Sequence, residues 1–244
     1  MQLKYTEERV IPPSVCDSTG VLGIPGAFAL FMDVATEHAC LLGCGLDVLG
    51  PRGLFWLTVR THVKFFRRPK MYERTALSTW TEPPGKLRVT RCYAIEGRSG
   101  LLVAGKTEWT IIDQNTGRLH PMADIYAPDP ASLPESVWDE PFARLPDEVL
   151  PEFARYTVQS TDIDLGGHMN NAAYLRALAS LFSCEAWQGM NLREAEISYR
   201  AACYEGDTLC WQKREDGGAL ALRAALPDGK TIALARIVTG ETPE

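Results

Sequence analysis

The chain has 244 residues, 45% hydrophobic and 23% charged, with a formal net charge of −6. That balance describes a globular protein with a substantial core, either one large domain or two of ordinary size. It argues against non-specific nucleic-acid binding, which needs a basic surface, and no uninterrupted apolar run is long enough to cross a bilayer. The opening MQLKYTEERV has no signal-like apolar region, so cytoplasm is the expected compartment.

Residues 5–20 begin as a strand and pass through Pro12-Pro13 to a turn. Pro25 suits a first helical position. From Gly26 to Leu42 the chain is apolar on most sides, and Asp33, Thr36, Glu37 and Cys40 form a narrow polar stripe. A helix with so little polar face should be enclosed by other structure. Asp33, Glu37 and His38 either line a cavity or simply make up that stripe.

Strand-like segments follow at Trp56–Phe65, Thr75–Trp80, Leu87–Glu96 and Leu101–Asp113, broken by Pro83-Pro84-Gly85 and Gly97–Gly100. The first alternates, with Leu57, Val59, Thr61, Val63 and Phe65 on one face and Arg60, His62 and Lys64 on the other. Prolines at 121, 128, 130, 134, 141, 146 and 151 then leave little room for regular elements. This stretch reads as a linker.

The pattern restarts after it. Arg155–Ser160 is a short strand and Asn171–Trp187 an enclosed helix with Arg176, Ser180 and Ser183 in a stripe. Glu194–Arg200, Thr208–Arg214, Ala219–Ala225 and Thr231–Thr239 are strands, with a turn at Pro227-Asp228-Gly229. VKFFRRPKMYERT at 63–75 superposes on ISYRAACYEGDTL at 197–209, setting Phe65 on Tyr199 and Glu73 on Asp207; Phe28 falls near Tyr174. A strand, an enclosed helix and a curved antiparallel sheet, present twice, predict an α+β double hotdog. Its expected parts are 1–122, a linker at 123–152, and 153–244, with binding expected of the first and chemistry of the last.

Thr161–Leu178, TDIDLGGHMNNAAYLRAL, concentrates the chemistry. Asn170 or Asn171 is placed to cap the following helix. His168 would then sit beside Asp164 at the positive helix end, where an oxyanion is stabilised. The bland alternative is a capped helix start with a surface histidine. In the first half the corresponding Thr19–Gly26, TGVLGIPG, has no titratable group.

The seven cysteines, at 16, 40, 44, 92, 184, 203 and 210, are scattered without a CxxC pair, which supports neither disulfides nor a metal site. No cofactor is expected.

With these segments in view, the chain resembles the acyl-ACP thioesterases, the plant-type enzymes and their bacterial relatives that release fatty acids from acyl carrier protein. The resemblance rests on DVATEHACLLGCG at 33–45, WLTVRTHVKFFRRP at 56–69, TEWTIIDQNTGRLHPM at 107–122, DIDLGGHMNNAAYL at 162–175 and ISYRAACYEGD at 197–207. It implies catalytic roles for Asp164 and His168. It expects an Asn where this chain has Gly166 and a Glu where it has Ala202, leaving those duties to Asn170 or a bound water. Cys203 matches a family cysteine and is either a nucleophile paired with His168 or a core thiol.

Backbone N–H groups at Gly167–Asn171 are candidates for binding the thioester carbonyl oxygen. Phe28, Phe31, Met32 and Trp56 are the expected lining of an acyl tunnel, or ordinary core. Arg60, Lys64, Arg67, Arg68 and Lys70 are the densest basic patch, for an acidic carrier protein or as a solvated strand edge. His62 and His120 receive no role. Three other readings stand beside hydrolysis of the carrier-bound chain: a non-catalytic acyl-binding protein, an acyl-CoA hydrolase and a dehydratase.

Overall fold

A computed structural model describes residues 3–126 and 132–240. The first half runs β1 (Lys4–Val10), α1 (Ile24–Leu41), α2 (Leu46–Leu49), β2 (Leu54–Phe65), β3 (Arg74–Thr81), β4 (Val89–Gly97), β5 (Gly100–Asp113), β6 (Arg118–His120) and α3 (Ala123–Tyr126). The second runs β7 (Glu152–Thr157), α4 (Asn171–Ser180), α5 (Cys184–Gly189), β8 (Leu192–Tyr199), β9 (Thr208–Asp216), β10 (Ala219–Ala225) and β11 (Thr231–Thr239).

The strands form one antiparallel sheet in the order β1-β3-β4-β5-β2-β8-β11-β10-β9-β7, with β6 added on β5. Each half contributes the same internal order, reversed about the β2–β8 junction. There His62 pairs with Glu196, the positions made equivalent by the sequence superposition. The two long helices pack against each other, and one buried cluster takes in Phe28, Phe31, Tyr174, Leu178, Ile197 and Trp211 from both halves. This is the double hotdog expected from the sequence.

Close packing of α1 depends on Gly105 of β5. A Cβ there would lie 2.3 Å from the Phe31 ring, which stacks on Tyr93 with centroids 4.4 Å apart. In β2 the predicted alternation breaks at a bulge between Thr58 and Arg60, which leaves Val59 outside the ladder with β5. Thr61, Val63 and Phe65 are buried, as alternation requires.

The second helix departs from expectation. It ends at Ser180, and a separate helix starts at Cys184, where the Ser183 hydroxyl accepts the Ala186 N–H. Ser183 is thus an N-cap and not part of a polar stripe.

Residues 132–151 contain no helix or strand but follow a definite path across the sheet's outer face. Trp80 donates its indole N–H to Glu135 O (2.9 Å), and Leu133 and Val137 pack with Trp80, Cys92 and Ala94. Trp138 meets the His62 ring at 5.1 Å, with the Lys64 Nζ over it at 4.8 Å. Phe142 stacks on Arg60 at 4.6 Å, Asp147 pairs with Arg223 at 3.2 Å, and Pro151 O accepts the Lys213 N–H. A proline-rich strap cannot join a ladder, so rings and side chains hold it.

Candidate active site

The stretch before α4 is a tight loop closed by the Ile163–Met169 bridge. Asp164 N donates to His168 O and Gly167 N to Asp164 O, both at 3.0 Å, while Gly167 takes a φ of +75°. Asp162, 5% exposed, anchors the loop from below by accepting from Tyr156 Oη (2.7 Å) and Gln159 N (3.0 Å). Its burial gives Asp162 a structural task.

This loop brings Asp164 and His168 together on one side. His168 Nδ1 lies 3.5 Å from Asp164 Oδ1, ion-pair range but longer than a good hydrogen bond, and both side chains are about one-third exposed to solvent. Asp164 Oδ1 also accepts the Gly166 N–H at 2.8 Å, which fixes the carboxylate. A Cβ at Gly166 would lie 2.8 Å from His168 Nε2 and 3.0 Å from Asp164 Oδ1. The imidazole therefore occupies space that any side chain at 166 would contest.

The oxyanion donors are fewer than expected. Gly167 N–H is spent within the loop, and Asn170 uses its side-chain oxygen to cap Ala172 N at 2.8 Å, while its carbonyl accepts from Ala173 N. That commits Asn170 Oδ1 to the helix and removes Gly167 as a donor. The Asn171 N–H stays at the first position of α4 without an acceptor among the described residues.

Cys203 is fully buried, and burial, with Asp207 second, pushes its thiol up to about 12. Such a thiol does not ionise near neutrality, so the nucleophile reading is set aside in favour of a core cysteine. His38 is also fully buried, bonded to Arg91 at 2.9 Å, and is not part of the exposed stripe. Asp33 pairs with Arg9, and Glu37 accepts from Tyr5.

Phe28 and Phe31 are buried core, Met32 packs against the same cluster, and Trp56 belongs to a separate one with Trp109. The bulge at Val59 accompanies that separation. Two of the cavities among the described residues, of about 450 and 510 Å³, are lined by neither Asp164, His168 nor these four residues.

The basic patch is divided. Arg60 pairs with Glu108 and Lys64 with Glu140, both beneath or beside the strap, whereas Arg67, Arg68 and Lys70 lie on the turn beyond β2. Arg67 pairs with Glu73 and Arg68 with Asp17. Because β2 and β8 are antiparallel, that turn is at the opposite end of the junction from the His168 loop, which bonds to Cys203 beyond the end of β8.

Comparison with known proteins agrees with this architecture. The structure superposes on an acyl-ACP thioesterase from Bacteroides thetaiotaomicron with a TM-score of 0.88 at 22% identity, covering 97% of this chain and 98% of that one. It superposes on the 12:0-ACP thioesterase from Umbellularia californica with a TM-score of 0.84 at 18% identity, covering 97% and 96%. In sequence it is 21% identical over 229 residues to the chloroplastic oleoyl-acyl carrier protein thioesterase 1 of Arabidopsis thaliana, covering 85% of this chain and 62% of that relative. Residues 2–128 match the acyl-ACP thioesterase N-terminal domain and residues 148–238 the C-terminal domain. With most of its length accounted for in this way, the chain belongs to the acyl-ACP thioesterase family.

Proposed function

We propose that this protein hydrolyses the thioester of a fatty acyl chain carried on acyl carrier protein, with His168 as general base and Asp164 as its partner. The observation that carries the reading is the pair itself, 3.5 Å apart at the start of α4 in a member of this family. A neutral imidazole can accept a proton from water. Asp164, held by the Gly166 N–H, orients the ring and stabilises the imidazolium. The N–H of Asn171 and the positive end of α4 favour charge on the carbonyl oxygen. The thiolate then leaves and takes a proton from His168.

Leu165, 90% exposed beside the pair, gives the carrier or its acyl arm an apolar contact at the loop tip. Arg67, Arg68 and Lys70 serve such a carrier less directly, being at the far end of β2. A second reading, acyl binding without turnover, is favoured by Gly166 and Ala202 standing where the family pattern has Asn and Glu.

One experiment separates them. Purified protein is assayed on matched acyl-ACP and acyl-CoA series, beside His168→Ala and Asp164→Asn. Hydrolysis lost by about 10²-fold or more in both variants, with unchanged circular dichroism, supports the reading. Equal turnover in the variants removes it, and affinity without turnover selects the second reading.

A further inference from the structure

The loop that bears Asp164 and His168 occurs twice in the molecule. In the first half Cys16 bridges Leu22, as Ile163 bridges Met169. Asp17 N donates to Val21 O and Gly20 N to Asp17 O, with Gly20 at a φ of +72°. Asp17 Oδ1 accepts the Thr19 N–H at 2.8 Å, as Asp164 Oδ1 accepts that of Gly166. Leu22 N bonds to Pro69 O as Met169 N bonds to Cys203 O. Asp17 is thus the twin of Asp164, Val21 of His168, and Arg68 of Ala202. A carboxylate, Asp17, lies two positions before the short window beginning at Thr19.

The twin differs from the catalytic loop in two ways that change what it would hold. Val21 provides no base, and Arg68 reaches back to Asp17 where the second half has a methyl group. The cavity of about 510 Å³ opens beside this loop, within the size range of small-molecule sites. Val21, Phe65, Phe66 and Leu192 line it with apolar surface, and Arg67, Arg68 and Arg193 supply guanidinium groups, Arg67 being paired with Glu73; no carboxylate is among the lining residues. Arg68 is neutralised by Asp17, while Arg193, exposed at the start of β8, makes no ion pair among the described residues.

We infer that the molecule holds a second, non-catalytic site, between the first-half loop and the start of β8, that binds an alkyl carboxylate, with the carboxylate on Arg193 and Arg68 and the chain along Phe65, Phe66 and Val21. That the ligand is the class of the reaction's own product rests on the proposed hydrolysis; the binding itself does not. A cation with no ion pair among the described residues suits a monoanion, and a planar guanidinium matches a carboxylate. The neutral carbonyl of a thioester gains nothing comparable there.

The test is calorimetric titration of the full chain with decanoate, with 1-decanol as the neutral comparator. A saturable decanoate site is expected, weakened about tenfold or more in Arg193→Ala and in Val21→Glu, retained in His168→Ala, and not reproduced by decanol. Absence of a saturable site overturns the inference. So does unchanged affinity in both Arg193→Ala and Val21→Glu when circular dichroism shows them folded, or loss in His168→Ala instead. Heat of binding is read without any turnover, so failure of hydrolysis and failure of this site remain separate results.

Discussion

Arg68 donates to Asp17 at the point in the first half where the second half has Ala202 and Asp164. The pairing shows that a long side chain at this position of the repeat reaches the loop carboxylate. The same reach should therefore be open to residue 202.

Two substitutions at that position should act in opposite directions. Ala202→Arg would claim Asp164 as Arg68 claims Asp17, taking the carboxylate from His168 and lowering kcat/KM by about tenfold or more. Ala202→Glu would place a second carboxylate near the imidazole, the residue expected from the family pattern, and raise the rate. Steady-state hydrolysis of acyl-ACP checks both. If neither variant moves the rate, position 202 does not reach the site.

Gly166 bears on the same ring from the other side. Gly166→Ala should displace the imidazole, because a Cβ would lie 2.8 Å from Nε2 and 3.2 Å from Cε1. The expected result is a several-fold lower kcat, with stability nearly unchanged in this exposed loop. An unaltered kcat would mean that the ring does not rest over residue 166.

Duplication of the turn beyond β2 and β8 supplies a stability test. Glu73 N bonds to Lys70 O as Asp207 N bonds to Tyr204 O, and the intervening residue is left-handed in both, with a φ of +65° at Tyr72 and +84° at Gly206. The strain is accepted by a tyrosine in one half and relieved by glycine in the other. Gly206→Ala should cost about 1 kcal/mol, and exposed Tyr72→Gly should gain a fraction of that, since a flexible glycine also stabilises the unfolded chain. Denaturant melts of the two variants measure both signs.

Much of this was legible before any coordinates. The superposition of Phe65 on Tyr199 and of Glu73 on Asp207 holds bond for bond, because apolar spacing and turn residues are local properties. The partnership of Asp164 with His168 was legible for the same reason, lying within a single tight loop. Three features were not. Asp17 lay just outside the compared window. The break at Ser183 hides in an apolar helical pattern, since a serine reads equally as stripe or as cap. The path of the strap depends on Trp138 and Phe142 finding cations that lie far away in sequence, on β2 and β5, and a run of prolines shows only that no ladder forms.

That strap makes stability depend on pH through Glu196. The side chain, 5% exposed on β8 beneath the strap, is raised to about 7, chiefly by burial and further by Glu194, against the pull of Arg60, the Ala143 N–H and Arg236. A carboxyl with a higher value folded than unfolded holds more protons in the folded state between those values. Stability is therefore greatest below the unfolded value, near ~4.3, and falls as pH rises through about 7. Neighbouring His62, bonded to Glu194 at 2.9 Å, is lowered mainly by burial and works in the opposite sense, so only a difference measurement isolates Glu196. Glu196→Gln should come closest to the parent at or below about pH 4 and exceed it at pH 8 by about 1–3 kcal/mol, read from guanidinium melts across that range. Parallel pH profiles would show that Glu196 ionises without cost, and hence that the strap does not exclude water from this part of the sheet.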